Sequence, residues 1–347
     1  MKTIQFFDAT LRDGSHAINH QLSTGTIERY CKKIDDAGLY VLIVGHGNGL
    51  GASSLQVGLS KHSDKSMLTS ARKCLKKTKL GVYMIPGFGT IKDNLRMAID
   101  IGTDVFKIGT HCTEADITKE HIEFLAKKNH EVYGILMLSH MASPKRILEE
   151  ASKMESYGAQ GIILMDSAGA LLPDGVKARV ETLVEHTGLN VGFHAHNNMN
   201  LATSNTITAL NSGATIVDGT TRGFGAGAGN CQLEALIAIM QKMDIKTNVD
   251  LYKLLDVSEE IVAGEIRYKG GTSSLNIISG FSGVFSAFDE KVQIAAKRFN
   301  VDPRDIFIEL GKRRVVAGQE DLIVDVAMHL NQMRKKDNSS YILESLL

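Results

Sequence analysis

Short β-rich runs and helical segments alternate eight times along the first two-thirds of this 347-residue chain. Candidate strands fall at 3–7, 40–44, 79–85, 105–108, 132–138, 161–165, 191–194 and 215–218. Helical periodicity fills the intervals at 26–37, 64–77, 91–101, 118–128, 144–157, 175–186, 201–212 and 231–242. Strands such as Gly161-Ile-Ile-Leu-Met165 are apolar without alternation, the pattern of parallel strands covered on both faces. Glycines follow several helical runs, at Gly38, Gly102, Gly158 and Gly213, where a left-handed residue closes a last turn. Eight such units in about 245 residues predict an α/β fold, a closed (β/α)8 TIM barrel. An open doubly wound sheet seldom carries so many regular repeats.

The remainder reads differently. From about Asp250 no strand pattern recurs. Phe288, Val292, Ala295, Ala296 and Phe299 mark one helical face in 286–299, and helices at 303–311 and 319–333 follow. The expected division is a catalytic barrel over 1–250 and a small all-helical C-terminal domain over 251–340. That domain would serve partner or oligomer contacts, and its last residues, from Lys336, read as frayed.

Composition narrows the function classes. The 39 basic and 39 acidic residues balance, so bulk charge gives no reason to expect a nucleic acid or an anionic membrane. No run approaches the roughly 20 apolar residues of a membrane span. The N-terminus turns polar too early for a signal peptide. Four cysteines, Cys31, Cys74, Cys112 and Cys231, lack metal or disulfide spacing, so a reduced, cytoplasmic setting is expected.

In a barrel the loops after the strands converge on one mouth. Those positions hold Asp8, Arg12, Asp13, His16, His46, His111, Glu114, Ser139, His140, Asp166, Ser167, His194 and His196. His194 and His196 are two apart on a strand and face one side. They read either as ligands of one ion or as hydrogen-bonded core histidines. With Asp13 they form a set of two imidazoles and one carboxylate that leaves positions open on a divalent ion. Such an ion, chelating a 2-oxoacid, would withdraw electrons as a carbon–carbon bond breaks or forms. Arg12 would then steady the developing oxyanion, and His16 would move the proton of a substrate hydroxyl. Arg12 pairing only with Asp8 or Asp13, and His16 only bridging loops, are the plainer readings. Ser167 reads as a carboxylate anchor or a simple turn, and His46, His111 and His140 as supports. The loop 223–230 is glycine-rich, and close backbone approach to a ligand or ion near Asn230 explains it better than a dinucleotide site.

Several segments carry a resemblance that reaches nearly the whole chain. They are Asp8-Ala-Thr-Leu-Arg-Asp-Gly-Ser-His16, His20-Gln21, Thr110-His-Cys-Thr-Glu-Ala-Asp116, Ser139-His-Met141, His194-Ala-His-Asn197, Gly225-Ala-Gly-Ala-Gly-Asn230 and Gly318-Gln-Glu-Asp321. Together they resemble the 4-hydroxy-2-oxovalerate aldolases, in the superfamily of 3-hydroxy-3-methylglutaryl-CoA lyase and isopropylmalate synthase. The resemblance implies a lyase that splits 4-hydroxy-2-oxoacids into pyruvate and an aldehyde, as in aromatic-hydrocarbon catabolism. It implies manganese, with cobalt or magnesium substituting, held by Asp13, His194 and His196. It further implies Arg12 as enolate stabiliser, His16 as base, Ser167 as a substrate contact, and an acylating aldehyde dehydrogenase as partner.

The chain departs from that pattern at Gly283-Val-Phe285, where the family has Gly-Val-Tyr. The family tyrosine contacts substrate and selects C4 stereochemistry, so Phe285 at this substrate-binding position implies relaxed stereoselectivity or another aldehyde. Phe281 stands where tyrosine is common, Asn19 replaces an arginine and Asn48 an aspartate. The competing functions are an acyl-CoA Claisen enzyme on the same scaffold and a non-catalytic subunit binding a dehydrogenase. The glycine-rich loop lacks the lyases' catalytic cysteine, which weighs against the first. The complete Arg12, Asp13, His16, His194 and His196 set weighs against the second.

Overall fold

The computed structural model describes residues 3–344. Eight parallel strands close into a barrel in sequence order, with the first pairing with the last. They are β1 (Gln5–Asp8), β2 (Val41–Ile43), β3 (Lys79–Met84), β4 (Val105–His111), β5 (Glu131–Met137), β6 (Gly161–Asp166), β7 (Asn190–Ala195) and β8 (Ile216–Gly219). The helices between them are α1 (Thr24–Ile34), α2 (Asp64–Cys74), α3 (Arg96–Ile101) and α4 (Lys119–Ala126). The ring is completed by α5 (Pro144–Ser156), α6 (Pro173–His186), α7 (Ala202–Asn211) and α8 (Leu233–Lys242).

Local chemistry sets these boundaries. Serine side chains at 23, 63 and 143 accept from backbone N–H groups at the starts of α1, α2 and α5, satisfying donors the helix cannot. Gly102 closes α3 at φ 90°, a conformation that costs a residue with a Cβ. Inside the barrel Phe7, Val41, Ile43, Tyr83, Val105, Tyr133, Ile135, Ile163, Met165 and Ile216 fill the lumen. The outward faces of the strands join the helices in a larger apolar cluster.

Beyond the barrel run α9 (Leu251–Val257), α10 (Ser274–Ser282), α11 (Asp289–Phe299), α12 (Pro303–Lys312) and α13 (Asp321–Glu344). Leu254 and Val257 of α9, with Ile261 and Val262 after it, bury themselves in the barrel's outer cluster. Val284, Phe288, Val292, Ile306, Phe307, Leu310, Ile323 and Val326 build a separate core. Sequence periodicity passes over α9 and α10. The first runs for two turns before passing into a π-helical stretch over Ser258–Glu265, and the second, Ser-Leu-Asn-Ile-Ile-Ser-Gly-Phe-Ser, is rich in weak helix formers and starts on a Ser273/Asn276 capping box. The last helix also differs from expectation. Its backbone stays helical to Glu344, where the sequence suggests fraying from Lys336; residues 345–347 lie outside the described part. Among the described residues no helix is long and apolar enough to cross a membrane.

Candidate metal centre and active site

Asp13 enters the barrel mouth from the turn after β1, and His194 and His196 from the end of β7. One ligand atom from each of the three lies within 4.8 Å of the others, and all three residues are buried. Burial pushes the Asp13 carboxyl up. Arg12 and the imidazoles of His196, His194 and His16 outweigh it and hold the carboxyl well below its ordinary range. His196 is pulled down to about 4 by burial, so its ring is neutral and has a lone pair to give.

The glycine-rich loop closes this cluster from the side of β8. His196 bridges Asn230, whose amide nitrogen lies 3.1 Å from Nε2 of His194. Ala226 N–H donates to Asp13 Oδ2 at 3.2 Å. At Gly225 a Cβ would fall 2.6 Å from Asp13 Oδ2 and collide with the Asn230 amide oxygen, so any side chain there would fill the centre. Nδ1 of His196 and the amide oxygen of Asn230 are buried without hydrogen-bond partners. A carboxylate, two imidazoles and an unpartnered amide oxygen are a donor set that fits a divalent cation.

Arg12 covers the centre. Its Nη1 donates to Asp13 Oδ1 at 2.7 Å and to the carbonyl of Gly47 at 3.2 Å, while Nε and Nη2 are buried and unpartnered. Arg12 therefore does pair with Asp13, as the plainer reading has it, yet two donors are left over. His16 lines a cavity of about 850 Å³ that runs from the mouth to the C-terminal helices. Burial holds its pKa below the ordinary 6.5, which keeps it a base at neutral pH. Phe285 lines the same cavity and meets Phe288 edge-on at 5.8 Å. Ser167 is buried beside it; its Oγ accepts from Leu138 N–H at 3.1 Å, and its carbonyl accepts from Ser286 Oγ at 3.2 Å.

The expected supports have definite partners. His20 and His46 stack at 3.6 Å between centroids, and their Nε2 atoms donate to the carbonyls of Val57 and Gly58. His140 Nε2 donates to the carbonyl of Gly283 at 3.0 Å, fastening the barrel two residues from Phe285. His111 turns instead to Thr113, away from the Asp13 cluster. Asp166 accepts from the N–H groups of Ala170 and Leu171, and burial pushes its carboxyl up to about 6. Cys231 is buried against Thr203, its thiol pushed up to about 11 by burial, which removes it as a nucleophile at the mouth.

Three residues of the site escaped the sequence reading. Tyr83 lies under Arg12, with the guanidinium carbon 4.9 Å from its ring centroid. Lys107 and Asp218 form a buried pair in the barrel interior. A lysine inside the apolar run of β4, and an aspartate at the end of β8, were the available signals.

The model of the HMGL-like family matches residues 3–261, and the chain belongs to that family. The DmpG-like communication domain matches residues 271–332. Within the family the chain belongs with the 4-hydroxy-2-oxovalerate aldolases, which are carbon–carbon lyases. It is 50% identical to that of Pectobacterium atrosepticum over 97% of this chain and 98% of the relative. It is 49% identical to that of Spirochaeta aurantia over 93% of this chain and 95% of the relative. The fold is shared more widely. The carboxyl transferase domain of Rhizobium etli pyruvate carboxylase superposes with a TM-score of 0.80 at 17% identity, over 96% of this chain and 61% of that one.

Proposed function

We propose that this protein is a divalent-metal-dependent aldolase that splits, or in reverse forms, 4-hydroxy-2-oxoacids such as 4-hydroxy-2-oxovalerate, giving pyruvate and an aldehyde such as acetaldehyde. The convergence of Asp13, His194 and His196 beneath the free donors of Arg12 carries this reading. Asp13, His194 and His196 would hold the ion; manganese is proposed, with cobalt or magnesium as substitutes. When bound, the ion supplies Lewis-acid polarisation of a 2-oxoacid.

The chain's own groups do the rest. Nε and Nη2 of Arg12 donate to the oxygen on which charge grows. His16 takes the proton of the C4 hydroxyl, the C3–C4 bond breaks to leave the aldehyde, and its electron pair passes into the enolate of pyruvate. A proton returned at C3 completes pyruvate. Ser167 is proposed to reach the substrate carboxylate through its hydroxyl proton, which Leu138 N–H leaves free to donate. Phe285 offers apolar contact where a hydroxyl would discriminate, so relaxed C4 stereoselectivity or a different aldehyde is proposed.

The match to a communication domain supports a partner, and an acylating aldehyde dehydrogenase that receives the aldehyde is proposed. We place the division between catalytic and partner-facing parts near 266–271, because α9 packs on the barrel. An oligomeric assembly and a cytoplasmic location complete the proposal.

The test is pyruvate release from 4-hydroxy-2-oxovalerate with added manganese, read beside thiol release from acetyl-CoA and a 2-oxoacid. Pyruvate release alone is expected. Thiol release without it would favour the Claisen enzyme. No turnover on any 2-oxoacid, with no proton exchange at C3 of pyruvate, would leave only the non-catalytic binding subunit.

A further inference from the structure

Lys107 of β4, His194 of β7 and Asp218 of β8 are all fully buried. His194 and Asp218 are directly paired in the register of β7 and β8. Lys107 reaches Asp218 from another wall of the barrel, between its register neighbours Tyr83 and Tyr133. Its ammonium donates to Asp218 Oδ2. The other carboxylate oxygen, Oδ1, lies 3.4 Å from Nδ1 of His194, and neither atom has a hydrogen-bond partner. On the opposite side of the ring, Nε2 faces Asn230.

A buried ion pair is a poor way to fill a barrel. Two apolar side chains of similar volume would do so without desolvating two charges. The pair here meets one residue that needs a fixed orientation. A metal-binding histidine needs a fixed tautomer, which is set by the acceptor on its other ring nitrogen. Nδ1 is without a hydrogen bond in both His194 and His196, but that of His194 has a carboxylate oxygen 3.4 Å away.

We propose that Asp218 and Lys107 are positioning residues for His194. Asp218 accepts the Nδ1–H hydrogen bond and so turns the Nε2 lone pair toward the cation, while Lys107 holds the carboxylate in place from across the lumen. This inference rests on the metal reading above and assigns two residues outside the ligand set to it.

The experiment is manganese titration of the chelator-treated full chain, with free Mn2+ read by electron paramagnetic resonance. The double variant Lys107→Met, Asp218→Leu removes both charges and the acceptor together and leaves no buried ion alone. It is expected to keep its cooperative melt and to bind manganese about 10–100-fold more weakly, the usual effect of losing such an acceptor. Lys107→Met alone keeps the acceptor but no longer holds it in place, and is expected to bind manganese more weakly than the parent and more tightly than the double variant. A folded double variant that binds like the parent overturns the relay, and a single variant that binds like the parent removes Lys107 from it. A parent chain that takes up no manganese overturns the metal reading itself, and the relay with it. Should the double variant not fold, 15N resonances of the parent chain decide. A proton on Nδ1 of His194 supports the relay, and one on Nε2 overturns it.

Discussion

The central carbon of the Arg12 guanidinium lies over Tyr83, 4.9 Å from the ring centroid, with Nε and Nη2 left without partners. A planar group held from below presents its remaining donors in one direction. Arg12→Lys should therefore leave the melting temperature nearly unchanged and lower kcat by about 10²–10³-fold, the scale of a lost oxyanion donor. Tyr83→Phe should keep kcat, whereas Tyr83→Leu should lose about 0.5–2 kcal/mol of transition-state stabilisation. Steady-state kinetics of the three variants check this.

His16 and Arg12 have separable tasks. His16→Ala should slow cleavage by roughly 10²–10⁴-fold, because the C4 hydroxyl loses its base. Deuterium exchange at C3 of pyruvate involves no such hydroxyl and should fall much less. Equal loss of both reactions would remove the assigned role.

The stacked pair His20 and His46 sets a pH dependence of stability. Burial holds them down to about 3 and about 4, against 6.5 for a free imidazole. Below pH 6.5 the unfolded chain takes up protons that the native chain refuses, so this contribution to stability falls as pH drops toward 4. Asp8 and Asp166, raised to about 6 by burial, act in the opposite sense below that pH. His46→Gln isolates one imidazole. Between pH 6.5 and 5 the metal-free parent should lose more unfolding free energy than the variant, by up to about 1.4 kcal/mol per pH unit. Urea titrations at several pH values measure the difference, and parallel slopes would contradict it.

Phe285 shares the cavity with His16 and has no polar atom to offer a C4 substituent. Phe285→Tyr should restore about 1–3 kcal/mol of discrimination between C4 enantiomers. Chiral analysis of the aldol formed from pyruvate and propanal reads the change.

The barrel was legible because eight strand and helix periods recur with little interruption, and the rim residues because strand ends share one mouth. Asp13, His194 and His196 could be named from sequence for that reason. Tyr83 could not, since a tyrosine in an apolar strand looks like core until Arg12 is seen above it. Lys107 and Asp218 are more than a hundred residues apart, and only barrel closure brings them together. The helix α10 stayed hidden because tertiary contacts, including Asn198 Nδ2 to the carbonyl of Asn276, compensate for weak propensity.

Anomalous diffraction at the manganese edge, from crystals grown with the metal, addresses the centre directly. One strong peak is expected within coordination distance of an Asp13 oxygen and a ring nitrogen of each of His194 and His196. A saturated crystal with no peak between those three side chains, or with its only peak elsewhere, would contradict the account.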